Sequence, residues 1–183
     1  MRAIVAAAHR LGVRVAAHAT DDASVWRAAE AGVTSVEHAY EVSDSTLALM
    51  ARKGVFLVAT DLDSLSAIRY AERAGMTGDR TGIMSFLKSE RARLRRAVAA
   101  GVPIAAGSDN YIDMQWPQGE AARRVLFAYQ HAGLTPVQLL QAATINDARP
   151  LGQAGRLGVL KAGASADRTA VAGNPPPALP PLG

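Results

Sequence analysis

The stretch VRVAAHATDDASVWRAAEAGVTSVEHA (residues 13–39) decides the fold. It opens on a short apolar run, Val13 to Ala17, and closes on a second, Thr34 to His38. Short, near-continuous apolar runs bounded by polar residues and glycine read as strands buried on both faces. Between them Asp21 or Asp22 caps a helix whose apolar side is Val25, Ala28 and Ala29, and Gly32 stops it. Strand, helix and strand in so short a span argue for a parallel sheet covered by helices.

The alternation continues in both directions. Upstream, Met1 to Leu11 reads as a helix with Ile4, Ala7, Ala8 and Leu11 on one face. Downstream, Ser43 caps a helix to Lys53, Gly54 stops it, and Val55 to Thr60 (VFLVAT) is a third strand. A long excursion, Asp61 to Gly82, carries a helix over Leu65 to Ala74. The helix from Ile83 to Ala100 leads to a fourth strand, Pro103 to Ala106. Gly119 to Ala132 and Pro136 to Ala148 read as two more helices, the second capped by Thr135 with Pro136 at its first position. The fold class is α/β, with four βα units that make either half of an eightfold barrel or a small open sheet. At 183 residues the chain is short of the roughly 250 that a complete (β/α)8 barrel takes. Past this region, Arg156 to Val171 reads as a turn and two short strands, and GNPPPALPPLG (173–183) as an extended Pro-rich tail.

Composition excludes several classes. The net charge of +4 is scattered apart from KSERARLRR (88–96), which has no interleaved aromatic residues and reads as a solvated helix face rather than a nucleic-acid surface. The absence of cysteine removes disulfides, thiolate zinc sites and a Cys nucleophile. No apolar run approaches the roughly 18 residues of a membrane span, and Ala3 to Ala8 is too short for a signal-peptide core, so the chain as written reads as cytoplasmic. There is no G-x-S-x-G elbow and no P-loop.

Three residues at strand ends suit chemistry: His18, His38 and Asp109, the last in PIAAGSDN (103–110). Imidazole nitrogen and carboxylate oxygen are ordinary zinc ligands, and a carboxylate can act as general base toward an activated water. A single histidine at a strand end is more often only hydrogen-bonded; three such residues on successive strand ends favour a shared site. Strict alternation puts His18 on the face of Ala16, His38 on that of Val36, and Asp109 on that of Gly107 and Ala105. Glu37 then faces the other way, toward a helix. Asp61, Asp63, Arg69, Tyr111 and Asp113 are either substrate contacts over the strand ends or solvated loop residues. His9 and His131 lie on helices and read as surface or packing residues.

Taken in order, VAAHATDD, SVEHA, GVFLVATD, GSDNYIDM and LTPVQLLQAATINDARPLG resemble the metal-dependent amidohydrolase superfamily, in its imidazolonepropionase-like and Xaa-Pro dipeptidase-like branch. RLGVLKAGASADRTAVAGNP (156–175) resembles the C-terminal β-sandwich segment of those enzymes. The resemblance implies a partial (β/α)8 TIM barrel, about strands five to eight with their helices, over residues 1–150, a β-sandwich remnant over 151–174 and a Pro-rich tail over 175–183. It implies that His18 and His38 end the fifth and sixth strands as metal ligands. Asp109, ending the eighth, would bind metal and carry the proton of the hydrolytic water. The implied cofactor is a divalent metal, usually zinc. The implied reaction is hydrolysis of an amide, cyclic amide or peptide-like C–N bond in a small-molecule or dipeptide-like substrate, with Tyr111 a candidate substrate contact.

The family also uses an H-x-H pair on its first strand and a Lys or Glu near its fourth, and this sequence contains no H-x-H. Two expectations therefore stand side by side: a truncated hydrolase chain with a partial metal site, or an inactive α/β fragment or interaction module. In the first case open strand edges at Val13 to Ala17 and Pro103 to Ala106 imply dimerisation with a second copy, into a closed eight-strand barrel, or else aggregation.

Overall fold

The computed structural model describes residues 1–76, 79–117 and 119–168. Four strands, β1 (Ala16–Asp21), β2 (Ser35–Glu41), β3 (Phe56–Val58) and β4 (Ile104–Ala105), lie side by side in chain order. Every pairing is parallel. Each strand sits beside its predecessor with no reversal of order. That is the progression of a barrel wall, not of a doubly wound sheet with a switch point.

Local chemistry fixes the helices. After α1 (Arg2–Arg10) comes α2 (Asp22–Ala31), where the Asp21 carboxylate accepts the Ser24 N–H and Gly32 closes the helix at φ +85°. In α3 (Asp44–Lys53), Ser43 accepts the Thr46 N–H and Gly54 ends the helix. Asp63 caps α4 (Ser64–Arg73) through the Ser66 N–H, and Asp79 caps α5 (Arg80–Ala99). The single helix expected over 119–132 is two, α6 (Glu120–Arg123) and α7 (Val125–His131). The one expected over 136–148 is likewise divided into α8 (Pro136–Ala142) and α9 (Ile145–Ala148). Thr135 and Gln138 form a reciprocal capping box at the start of α8. In the second break, Thr144 leaves the helical region at φ −136°, ψ −91°. Apolar periodicity runs across both breaks, so the pattern alone could not reveal them.

The core lies between one face of the sheet and the helices. Ala17, Val36, Leu57 and Ile104 are register partners across all four strands, and all belong to the buried cluster with Val25, Leu47, Met50, Leu94, Tyr129 and Leu139. Ala16 and His18, facing the other way on β1, are exposed. Strand β1 starts at Ala16 rather than Val13, which is itself exposed.

The tail differs from expectation. Among the described residues, 156–168 form turns, with one isolated bridge between Ala154 and Leu157 and no strand. The remainder of the expected second strand, Thr169 to Val171, lies outside the described residues, as does the Pro-rich tail. What holds this segment is close packing rather than a ladder. At Gly158 (φ +70°), a Cβ would meet the Thr144 carbonyl oxygen at 2.6 Å and the Ile145 nitrogen at 2.8 Å. Only glycine permits that approach to the α8–α9 turn.

Candidate active site

The C-terminal ends of the strands carry an unusual backbone. Of five non-glycine residues with positive φ among the described residues, four are His38 (+77°), Ala39 (+49°), Thr60 (+57°) and Asp109 (+46°). His38 and Ala39 lie within the second half of β2, and Thr60 and Asp109 follow β3 and β4. Left-handed backbone in residues with side chains costs energy and gathers at functional sites.

That backbone changes which side chains meet. The β1–β2 register is irregular between Ala19 and Asp21, where a bulge falls opposite the end of β2. Up to His18 the parity is regular, and the register partner of His18 is Glu37. Glu37 therefore shares the face of His18, which corrects the expectation that it points toward a helix. Ser35 Oγ donates to Glu37 Oε1 at 2.8 Å. Burial raises the Glu37 carboxyl above its ordinary range; the Asp109 charge pushes it further up and His18 opposes this. Val36, the expected face-mate of His38, is instead a core residue. His38 reaches the site because its φ of +77° turns the chain there. Its ring meets that of His18 edge-on, with centroids 4.5 Å apart.

The hydrogen bonds around His38 set its tautomer. Thr60 Oγ1 donates to the Ala59 carbonyl at 2.7 Å, so it acts as acceptor toward His38 Nδ1 at 2.8 Å. Nδ1 then carries the proton and Nε2 keeps its lone pair. Tyr40 OH lies 3.2 Å from the same Nδ1. Burial, and next the charge of His18, hold the His38 imidazole below its ordinary pKa, so the neutral form predominates. A neutral imidazole with a free nitrogen beside a second imidazole fits two positions of a divalent-metal shell. Among the described residues no group of three or more His, Asp or Glu completes such a shell. Asp109 stands exposed on its loop, near enough for its charge to act on both His38 and Glu37.

The strand ends are held by residues that pattern alone did not single out. Tyr129 on α7 is wholly buried; its hydroxyl accepts the Ala59 N–H at 3.1 Å and donates to the Ala105 carbonyl at 3.0 Å. Asn146 Nδ2 donates to the Ile104 carbonyl at 2.9 Å, and the Ala106 N–H donates to Asp147 Oδ1 at 2.7 Å. At Gly107 a Cβ would collide with Val58 Cγ1. Together these fix the chain that presents Ser108 and Asp109.

The excursion after β3 does cover this end of the sheet, but its charged residues work in other ways than expected. Asp61, 3% exposed, is ion-paired with Arg93, 1% exposed, so 88–96 is not a wholly solvated face. Glu90 in the same run is 4% exposed. Asp63 is paired with Arg124. Arg69 donates to the Met114 carbonyl at 2.8 Å and, with Arg124, stacks on Trp116, which ties the loop after β4 to α4. Asp113 accepts the Gln115 N–H at 2.8 Å. Tyr111 is 71% exposed, its hydroxyl 2.7 Å from that of Tyr70. His9 and His131 are exposed, as expected. No helix among the described residues is long and apolar enough to cross a membrane.

Known proteins share the sequence pattern and fold of this chain. The profile described as "Amidohydrolase family" matches residues 1–182. The ochratoxinase of Aspergillus niger is 32% identical over 178 residues, covering 96% of this chain and 36% of the relative. The imidazolonepropionase of Symbiobacterium thermophilum is 32% identical over 169 residues, covering 91% of this chain and 35% of the relative. Among solved structures, a Xaa-Pro dipeptidase with bound methionine superposes with a TM-score of 0.77 at 29% identity, over 95% of this chain and 42% of that one. The chain thus spans well under half the length of these relatives.

Proposed function

Because the chain belongs to the amidohydrolase family, we propose that it carries part of the active site of a metal-dependent hydrolase acting on amide, cyclic amide or peptide-like C–N bonds. The observation that carries this reading is the edge-on meeting of His18 and His38, with ring centroids 4.5 Å apart, on adjacent parallel strands. Relatives described as an ochratoxinase, an imidazolonepropionase and a Xaa-Pro dipeptidase support it.

In this reading His18 and His38 hold a divalent metal, zinc in the first instance, through ring nitrogens, with Nε2 as the free nitrogen of His38. When bound, the metal supplies Lewis-acid polarisation of the carbonyl and activation of water. Thr60 keeps the His38 ring oriented and its tautomer fixed. Asp109 accepts the proton of the attacking water and returns it to the leaving nitrogen. Glu37, with its carboxyl raised by burial, accepts the Ser35 hydroxyl beside His18 and shapes the wall under the site.

Elemental analysis of metal taken up by the purified chain tests this reading. Uptake of one divalent ion that falls when His18 and His38 are both changed to Ala supports it. Equal uptake by the unaltered chain and the double variant refutes it. An inactive α/β module is the competing reading, since no third donor joins the histidine pair among the described residues. Chelator-sensitive hydrolysis of dipeptides or lactams by the purified chain would count against that alternative.

A further inference from the structure

A cavity of about 620 Å³ opens beside the strand ends, between α4, α5 and the loop after β4. That volume falls within the roughly 300–1,000 Å³ of small-molecule pockets. Asp109 and Thr60, the hydrogen-bond partner of His38, form part of its wall, so it adjoins the proposed reaction centre. We propose that this cavity binds an aromatic or bulky apolar substituent of the amide substrate next to the scissile bond, with Glu90 as its polar anchor. This deepens the hydrolase reading above and rests on it.

Two aromatic pairs shape the cavity. Tyr40 meets Phe86 edge-on at 5.7 Å, and Tyr70 meets Tyr111 edge-on at 6.3 Å. All four side chains line it, and Phe86 is 44% exposed because it borders the open space. Aromatic walls prefer ring partners in offset or edge-on contact.

Glu90 makes the cavity more than an apolar cleft. It lines the wall, is 4% exposed, and its Oε2 has no hydrogen-bond partner among the described residues. A buried polar atom left unpaired is costly, so one in a cavity wall points to a ligand that satisfies it. Burial, then the charge of Asp61, push the Glu90 carboxyl up to about 9. At neutral pH it is a carboxylic acid, able to donate to a carbonyl or phenolic oxygen of the bound group. A substrate with an anionic group at this position would instead face Asp109 and the ring faces.

The test is direct binding to the intact, metal-free chain. Isothermal titration compares N-acetyl-L-phenylalaninamide with N-acetyl-L-alaninamide. The aromatic probe is expected to bind at least about tenfold tighter, the equivalent of one well-buried contact. Phe86→Ala, at a partly exposed position that leaves the core intact, is expected to remove that preference. Glu90→Ala is expected to weaken the aromatic probe by about tenfold through loss of the anchor. Glu90→Gln keeps a neutral donor and is expected to restore binding. Equal affinity for the two probes, or an unchanged preference in Phe86→Ala, overturns the assignment. The His18→Ala/His38→Ala chain separates the two readings. If the unaltered chain takes up no metal and the probe preference persists in both chains, the cavity binds an aromatic group but the hydrolase reading falls, and the placing beside a scissile bond falls with it. Metal uptake lost in the double variant, without any probe preference, does the reverse.

Discussion

Replacing Tyr129 with Phe isolates what holds the site's strands together. The ring stays, so no cavity forms and the apolar contacts are kept. The hydroxyl goes, and with it both of its bonds: the Ala59 N–H at 3.1 Å and the Ala105 C=O at 3.0 Å. The residue is wholly buried, so water cannot replace the lost partner. Each backbone group left unpaired costs about 1–3 kcal/mol, and some relaxation is shared, so the variant should lose about 2–5 kcal/mol. A urea slope of about 1–3 kcal/mol/M for a chain of this size turns that into a fall of one to several molar in the midpoint, with the slope unchanged. Tyr70→Phe is the control. Its hydroxyl bonds to Tyr111 at the surface, and its loss should cost less than about 0.5 kcal/mol. Since Ala59 precedes Thr60, the Tyr129 variant should also loosen His38, read as greater chemical-shift heterogeneity of the His38 ring protons. A Tyr129→Phe chain within about 0.5 kcal/mol of the parent would refute the view that this hydroxyl ties β3 to β4.

Two further outcomes follow from the same geometry. Burial pushes the Asp147 carboxyl up from 3.8 to about 6, so between those values the folded chain holds a proton that the unfolded chain has released. Its contribution to stability therefore falls as pH rises through that window and is flat above it. The group is half-buried and partly screened, so the change amounts to about 1 kcal/mol. Asp147→Asn keeps an acceptor for the Ala106 N–H, and unfolding measured from pH 4 to 8 should show a slope between pH 4 and 6 shallower than the parent's by about that amount, the remainder coming from Glu90 and Glu37; a slope equal to the parent's would place the effect elsewhere. We also propose that the 183-residue polypeptide self-associates along the edge of β1, where Ala16 and His18 are exposed, together with Val13 in the segment leading into it, which is 53% exposed. Light scattering should show a dimer or larger species that Val13→Lys diminishes; a monomer at all concentrations would refute it.

Much of the arrangement was legible because it is written in short-range chemistry. Asp21, Ser43, Asp63 and Thr135 cap helices by bonding N–H groups three residues on, and Gly32 and Gly54 end helices in left-handed backbone. Such signals need no distant partner, so helix starts and strand order could be read directly, whereas strand limits could not: β1 and β2 run on to Asp21 and Glu41, past His18 and His38, which were expected to end them. Parity failed where the rule behind it failed. It assumes a regular pleat, and the left-handed turn at His38 breaks the pleat, bringing Glu37 and His38 to the same site. The run 88–96 failed for a related reason. Charge suggested solvent, whereas Asp61, 32 residues from Arg93 in the chain, supplies a buried partner.

The sequence by itself determined the α/β class, the succession of parallel strands and the placing of His18 and His38 on two neighbouring strands with Asp109 in the loop after the last, because periodicity and caps act over a few residues. Only the tertiary structure decided that His18 meets His38, that Thr60 fixes the His38 tautomer, that Tyr129 bridges β3 and β4, and that Glu90 faces a cavity. Those relations join residues distant in the chain, and their strength comes from burial, which excludes water from groups that sequence alone leaves looking solvated.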